Sequence, residues 1–178
     1  MKHEFNYHHV PPTHRNTTPN ESESSKPSPP RPSDHIRLAY LELIKVLEPN
    51  YFITFNFGYK IQPLNGLDRI DKFCRRLEKA ALGRYWFKRH QSGRLYLIGF
   101  PEHLDINPHW HAVARLPDTM VTSIEKHGQS LWSELAPRGQ LDVEEIESEI
   151  RVASYIMKRF RRSSAEHVAV YSPHDRKK

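Results

Sequence analysis

The chain of 178 residues has a mean hydropathy of −0.74, a formal net charge of +6 and a pI of about 9.5. This length is typical of one domain with its own core, and the basic balance favours an anionic partner such as nucleic acid. The one cysteine, Cys74, excludes a disulfide framework and a cysteine-rich zinc site. Because no apolar run approaches the length of a membrane span, we expect no membrane partner and no secretory signal.

The N-terminal segment, residues 1–32, is rich in proline, serine, asparagine and threonine and has almost no aliphatic side chains. Such a segment cannot bury enough apolar surface to offset the entropy lost on ordering it. We therefore predict a disordered tail over residues 1–32. One folded domain follows over residues 33–178 and finishes in a short basic tail.

The first half of the domain predicts a helix, a strand, a second helix and a second strand. Ser33 is a suitable N-cap for an amphipathic helix that Pro49 ends. Residues 51–59 are mostly aromatic and β-branched, as in a strand. A second amphipathic helix over 66–83 is followed by a predicted strand over 84–90 and a turn.

The second half adds strands over 94–100 and 109–116, a helix over 120–135, a short edge strand over 139–146 and a final helix over 149–160. Helices interleaved with hairpin-joined strands favour an antiparallel sheet with the helices packed on one side. The predicted fold class is therefore α+β.

The stretch "NPHWHAV" places His109 and His111 on either side of Trp110. Because alternate residues of a strand share a face, both imidazoles would project together, about 7 Å apart at Cα, while Trp110 points into the core. Two imidazoles at this spacing can converge on one ion. The chain contains 12 histidines, so a pair of ordinary surface histidines is the alternative interpretation.

A site with two histidines needs a third ligand. Glu102 and His103 lie just upstream, where a hairpin would fold back alongside the pair. Asp105 is a weaker candidate because it lies in the predicted loop. Two imidazoles and a carboxylate leave coordination positions open, as in a catalytic rather than a structural metal site.

The final predicted helix contains Tyr155 and Lys158, which share a face because residues three apart on a helix are neighbours. A cation beside a phenol favours the phenolate, so Tyr155 is a candidate nucleophile; the alternative is a core tyrosine whose hydroxyl reaches the surface. The same spacing recurs at Tyr85 and Lys88. In the strand predicted there, residues three apart face opposite sides, so this second pair is not expected to cooperate.

Three motifs follow one another along the chain: the aromatic strand "FITFNF", the strand "HWH" and the late helix with "YIMK". Together they resemble the HUH endonuclease superfamily, in particular rolling-circle replication initiators and related single-tyrosine nucleases. The resemblance covers roughly residues 51–160 and implies a ferredoxin- or RRM-like sheet of about five antiparallel strands with flanking helices. It also implies Mg²⁺ or Mn²⁺ held by His109, His111 and Glu102, with His103 as the alternative third ligand.

The same resemblance implies that Tyr155 is the DNA nucleophile and leaves a 5′-phosphotyrosine link, with Lys158 stabilising the charge. The activity would be sequence-specific nicking and joining of single-stranded DNA, or of an extruded origin hairpin, in rolling-circle replication or transposition. We expect no helicase domain after the nuclease, so that unwinding would need a host helicase. We also expect a cytoplasmic protein encoded by a bacterium or a mobile element.

Six basic side chains are candidates for contacts with DNA phosphates: Arg75, Arg76, Lys79, Arg159, Arg161 and Arg162. Each is also consistent with an ordinary solvated face. One rival function is a metal-dependent phosphoesterase that activates water, with Tyr155 in a structural role. The other is a non-catalytic nucleic-acid-binding module whose "YFITFNF" aromatics stack bases. A covalent protein–DNA adduct argues against both rivals, and metal-independent binding without cleavage would favour the second.

Overall fold

The computed structural model describes residues 32–148 and 166–173. In that part of the chain, three α-helices and five strands follow in the order α1 (Pro32–Leu47), β1 (Tyr51–Asn56), α2 (Pro63–Leu82), β2 (Tyr96–Glu102), β3 (His109–Arg115), α3 (Asp118–Leu135), β4 (Gln140–Glu145) and β5 (Ala169–Tyr171). None of these helices is both long and apolar enough to cross a membrane. Residues 1–31 of the predicted tail and the predicted final helix over 149–160 lie outside the described residues.

The strands form one open sheet in the order β4-β1-β3-β2-β5, and every neighbouring pair is antiparallel. This arrangement confirms the predicted α+β fold with five strands and flanking helices. The predicted strand over 139–146 is present as β4 and forms one edge of the sheet. The opposite edge, β5, was not predicted, because three residues are too few to show the alternation of a strand.

Two helices, α2 and α3, cover one side of the sheet, here called the tryptophan face. Trp110, Phe55, Phe73 and Trp132 are all fully buried in the core between these helices and the sheet. Helix α2 approaches closely because it carries a glycine at the contact: a Cβ built on Gly66 would lie 2.6 Å from the Trp110 ring. The prediction that Trp110 points into the core against helices is confirmed.

The other side of the sheet, here called the histidine face, is packed against α1. Ile44 and Leu47 of α1 form a separate buried cluster with Ile98, Phe100 and Val113 of the sheet. The prediction that the helices pack on one side only was therefore wrong. The apolar stripe of α1 needs a partner, and the alternation of β2 and β3 supplies aliphatic and aromatic side chains on this face as well.

The prediction of a strand over residues 84–90 was also wrong. This segment forms a turn and one short 3₁₀ helix, Trp86–Lys88, and a second 3₁₀ helix, Gln91–Gly93, follows where the turn was predicted. The middle of the following strand β2, residues 97–99, is already paired with β3 on one side and β5 on the other, so a hairpin of this segment with β2 would compete with β5. As a result Lys88 Nζ lies 5.2 Å from the centre of the Tyr85 ring, and the argument that these two side chains face opposite sides fails.

A buried ion pair joins α2 to the start of β2. Arg94 donates to the two carboxylate oxygens of Glu78 at 2.6 and 2.8 Å, and the Tyr171 hydroxyl donates to the same carboxylate at 2.6 Å. The hydrogen bond to Glu78 is the main cause that raises the pKa of Arg94 above its ordinary value. This network fixes β2 and β5 against the helix that covers the tryptophan face.

Candidate metal centre

Glu102, His109 and His111 bring three ligand atoms together on the histidine face. Nε2 of His111 lies 2.9 Å from Oε2 of Glu102, and Nε2 of His109 lies 3.2 Å from the same oxygen. All three atoms lie within 4.8 Å of one another. Among the residues that the structure describes, this is the one cluster of histidine, cysteine or acidic side chains that could hold a metal ion.

Strand pairing explains why these side chains converge. β2 and β3 are neighbours, and their register places Glu102 opposite His109 and Phe100 opposite His111. Because His109 and His111 are two residues apart on β3, they share a face, as the alternation of the sequence predicted. Glu102 is the last residue of β2, so the sheet fixes the backbone of all three residues.

The contacts of His109 indicate which of its two ring nitrogens carries the proton in the neutral ring. Its Nδ1 lies 3.0 Å from the carbonyl oxygen of Asn107, which can only accept, so Nδ1 carries the proton. In the neutral ring Nε2 then presents a lone pair towards the Glu102 oxygen, which also has only lone pairs. A metal ion bound by both groups would satisfy the two acceptors, and a second proton on the ring, which turns the contact into an ion pair, would satisfy them as well.

His111 is oriented by two residues of β1. Its Nδ1 lies 3.1 Å from Oγ1 of Thr54, and its ring stacks on Phe52 with the centroids 5.6 Å apart and the planes 13° apart. The register of β1 with β3 places Thr54 directly opposite His111. A polar partner on the second ring nitrogen is the usual support for a metal-binding histidine. Thr54 could not be predicted from the sequence, because its contact with His111 depends on a strand pairing across 57 positions.

The alternative third ligand, His103, lies outside the cluster. It has a positive φ of 51°, just after β2 has ended, and its side chain is 53% exposed, compared with 11% for Glu102. Its Nε2 lies 3.5 Å from Oε1 of Glu102, the carboxylate oxygen that faces away from the two ligand histidines. The geometry therefore favours Glu102 over His103. Asp105, the weaker candidate, is an exposed loop residue.

The predicted nucleophile and most of its neighbours lie outside the described residues: Tyr155, Lys158, Arg159, Arg161 and Arg162. The chain is described again from Glu166, and His167 accepts a hydrogen bond of 2.9 Å through its carbonyl oxygen from Nε1 of Trp110. Trp110 lies between His109 and His111 in β3.

The remaining candidate DNA contacts, Arg75, Arg76 and Lys79, lie on the exposed side of α2. Arg75 pairs with Asp71 at 2.6 Å, and Arg76 pairs with Glu134 of α3 at 2.6 Å. Since α2 covers the tryptophan face, these three side chains are separated from the metal centre by the sheet. The structure does not bring them together with the histidines.

No protein family, no curated protein and no solved structure matches this chain significantly.

Proposed function

We propose that the protein is a metal-dependent HUH-type endonuclease that nicks and joins single-stranded DNA through a tyrosine. The observation that carries the proposal is the convergence of Glu102, His109 and His111 on one face of an antiparallel sheet. A structural zinc site would be closed by a fourth protein ligand, whereas three ligands leave positions for a substrate phosphate. The setting that goes with this proposal is the cytoplasm of a bacterium, with a host helicase to unwind the origin or its hairpin.

The ligand set fits Mg²⁺ or Mn²⁺. The two nitrogen–oxygen separations, 2.9 and 3.2 Å, are close to the distance of about 3 Å between adjacent ligands of an octahedral ion with bonds of about 2.1 Å. Imidazole ligands favour Mn²⁺ over Mg²⁺ in affinity, since Mg²⁺ prefers oxygen ligands. When bound, the ion would polarise a non-bridging oxygen of the scissile phosphate and orient it.

The residues of the chain then have distinct roles. His109, His111 and Glu102 hold the ion, and Thr54 and the Asn107 carbonyl hold the two imidazoles in orientation. The buried tryptophan face keeps β3 in place beneath them. Because Glu102, His109 and His111 all lie on strands of the sheet, little reorganisation is needed when the phosphate arrives.

In the proposed reaction the hydroxyl oxygen of Tyr155 attacks the phosphorus in line as its proton is lost. The bond between phosphorus and the 3′ oxygen breaks, and this oxygen takes up a proton and leaves as a 3′-hydroxyl. The 5′ phosphate remains on the tyrosine, so one phosphodiester is exchanged for another and joining can follow. Lys158 would stabilise the developing charge, and Arg159, Arg161 and Arg162 would hold neighbouring phosphates.

A competing nucleophile within the described residues is Tyr40. It comes from α1 on the histidine face, and its ring packs edge-on against Phe100 with the centroids 5.2 Å apart. Phe100 is the residue paired with His111 across β2 and β3. Burial raises the pKa of Tyr40 above its ordinary value, which disfavours the phenolate that an attacking tyrosine needs. We therefore retain Tyr155 as the nucleophile and use Tyr40 as a control.

The rival in which the sheet itself stacks bases is not favoured by the packing. Phe55 and Phe57 are fully buried on the tryptophan side, and Phe52 stacks on His111. These rings of the "YFITFNF" stretch are engaged within the fold rather than offered to a base. The phosphoesterase that activates water would use the same metal ligands, so only the fate of the DNA strand separates it from the proposal.

The decisive experiment incubates the protein with a pool of radiolabelled single-stranded oligonucleotides and Mn²⁺, followed by denaturing electrophoresis. Wild type should give cleaved DNA and a covalent adduct, and Tyr155→Phe should give neither, since it removes one oxygen and almost no volume. Tyr40→Phe and Tyr85→Phe should retain both products. Lys158→Ala should slow cleavage without abolishing it.

Three outcomes would contradict the proposal. Cleavage by Tyr155→Phe without an adduct would identify a hydrolase that activates water. Loss of the adduct only in Tyr40→Phe would move the nucleophile to α1. No cleavage of any oligonucleotide by wild type, together with unchanged binding in chelator, would favour a non-catalytic binding module.

A further inference from the structure

Residues 84–90, which do not form the predicted strand, are a largely exposed loop of three consecutive aromatic residues flanked by basic side chains. It lies between the end of α2 and the start of β2. From residue 79 to residue 101 the chain contains no aspartate or glutamate. Arg84, Lys88, Arg89 and His90 are all exposed, so the loop presents a group of basic side chains at the surface.

Two aromatic rings of this loop, those of Tyr85 and Phe87, are exposed to solvent. Tyr85 is 57% exposed and Phe87 is 50% exposed, and the two rings lie edge to face with their centroids 6.5 Å apart. Arg84 and Lys88 place their charged groups 5.7 and 5.2 Å from the centre of the Tyr85 ring. Charged side chains and exposed aromatic rings thus lie close together within one short segment.

The loop is anchored rather than loose. Trp86, between the two exposed rings, is partly buried, and the guanidinium of Arg94 lies 4.8 Å from its centre. Arg94 is itself held by two hydrogen bonds from its guanidinium to the buried carboxylate of Glu78. The ion pair of Arg94 and Glu78 thus holds the Trp86 ring in place. The loop then presents the rings of Tyr85 and Phe87 at the surface.

We propose that residues 84–90 form a binding surface for single-stranded nucleic acid. Tyr85 and Phe87 supply faces on which bases stack, and Arg84, Lys88 and Arg89 neutralise the adjoining phosphates. Positive grooves combined with exposed aromatic rings are the common device for binding single strands without reading their sequence. A partner with a folded apolar surface would not need this density of charge, and a duplex would not offer its bases for stacking.

This surface is separate from the metal centre. The loop precedes Tyr96 at the first end of β2, whereas Glu102 is at the other end, about 20 Å away along an extended strand. Binding at the loop therefore does not depend on the proposed nuclease chemistry. If that chemistry is also present, the loop would bind the single-stranded DNA at a distance from the cleaved phosphate.

Intrinsic fluorescence gives a local test, because Trp110 and Trp132 are fully buried while Trp86 is partly exposed. Full-length protein in EDTA should be titrated with an oligothymidylate, an oligouridylate and a DNA duplex. We expect both single strands to quench Trp86, since they share bases and phosphates, and the duplex to bind less tightly. Tighter binding of the duplex than of either single strand would overturn the proposal.

Variants then identify the surface by the anisotropy of a labelled oligothymidylate. Phe87→Ala and Tyr85→Ala should each weaken binding about 5-fold to 100-fold, the loss expected for one stacked base. Leu64→Ala, which truncates a side chain 72% exposed on α2, is the apolar control and should bind as wild type. If both ring variants bind as wild type and remain folded, the proposal is wrong.

Salt dependence tests the charges. Lys88→Ala should reduce the slope of log affinity against log salt concentration by about 0.7, the value for one phosphate contact on a single strand. Lys126→Ala, on the exposed surface of α3, is the matched control and should leave the slope unchanged. If the protein binds oligothymidylate through the loop but never forms a covalent adduct with DNA, the proposed nuclease activity is refuted and the proposed binding surface is retained.

Discussion

Trp110 on the tryptophan face is fully buried under α2, whereas its two neighbours on the histidine face keep 16% and 15% of their side chains exposed. All three residues belong to β3, and their exposure differs because the strand points Trp110 to one face of the sheet and the two histidines to the other. The tryptophan face has apolar packing that leaves no room at Gly66, while the histidine face has a polar cluster of two imidazoles and a carboxylate.

The comparison shows how one strand can carry stability and chemistry at the same time. Successive side chains are separated by the sheet, so the core below can be packed tightly without removing the ligands above from solvent. Substitutions on the tryptophan face should therefore change the free energy of unfolding. Substitutions on the histidine face should change metal affinity and leave the fold in place.

The largest expected effect is on stability and comes from Trp110→Ala. Truncating this buried indole, which also loses its 2.9 Å hydrogen bond to the His167 carbonyl, should lower the free energy of unfolding by about 3–5 kcal/mol. Urea denaturation followed by circular dichroism measures the change. His111→Ala on the same strand should lower it by about 1 kcal/mol or less. Equal losses in the two variants would show that the two faces do not divide the roles in this way.

The next effect is on metal binding and comes from the ligands. His109→Ala, His111→Ala and Glu102→Ala should each weaken Mn²⁺ binding at least about 100-fold, because even supporting residues of a metal site contribute 10- to 100-fold. Calorimetric titration with Mn²⁺ measures the affinities, and circular dichroism checks that each variant is folded. Asp105→Ala, from the exposed loop nearby, should bind Mn²⁺ as wild type. Retention of wild-type affinity in any of the three ligand variants would remove that residue from the centre.

A smaller effect is expected from the residue that orients His111. Thr54→Val keeps the shape of the side chain and removes the hydroxyl that lies 3.1 Å from Nδ1. Mn²⁺ affinity should fall about 10-fold, the lower end of the range for a supporting hydrogen bond. Thr54→Ser keeps the hydroxyl and should recover most of the loss. If Thr54→Ser and Thr54→Val bind equally, the hydroxyl does not support the ligand.

The smallest effect is expected from His103→Ala. This imidazole is exposed and lies 3.5 Å from the carboxylate oxygen that the two ligand histidines do not share. Its removal should change Mn²⁺ affinity by less than about threefold, a difference worth less than 1 kcal/mol. A loss as large as that of Glu102→Ala in the same calorimetric titration would make His103 the third ligand instead.

Several features of the protein could be predicted from the sequence because they depend on local periodicity. The alternation in "HWHAV" gave both the outward direction of His109 and His111 and the burial of Trp110. The order of helices and strands gave the α+β class, since hairpin-joined strands pair with their neighbours. These signals are carried by residues close together along the chain.

Four features depend on the tertiary structure: the position of Glu102 rather than His103 beside both histidines, the contact of Thr54 with His111, the packing of α1 on the histidine face and the loop at 84–90. Each of these depends on strand register or on which sheet edges are already occupied. Residues 84–90 show the difference clearly. Their aromatic and β-strand-like composition satisfies the local preference for a strand, but a strand is stable only when its backbone finds a partner, and here β3 and β5 already pair with the middle of β2, residues 97–99.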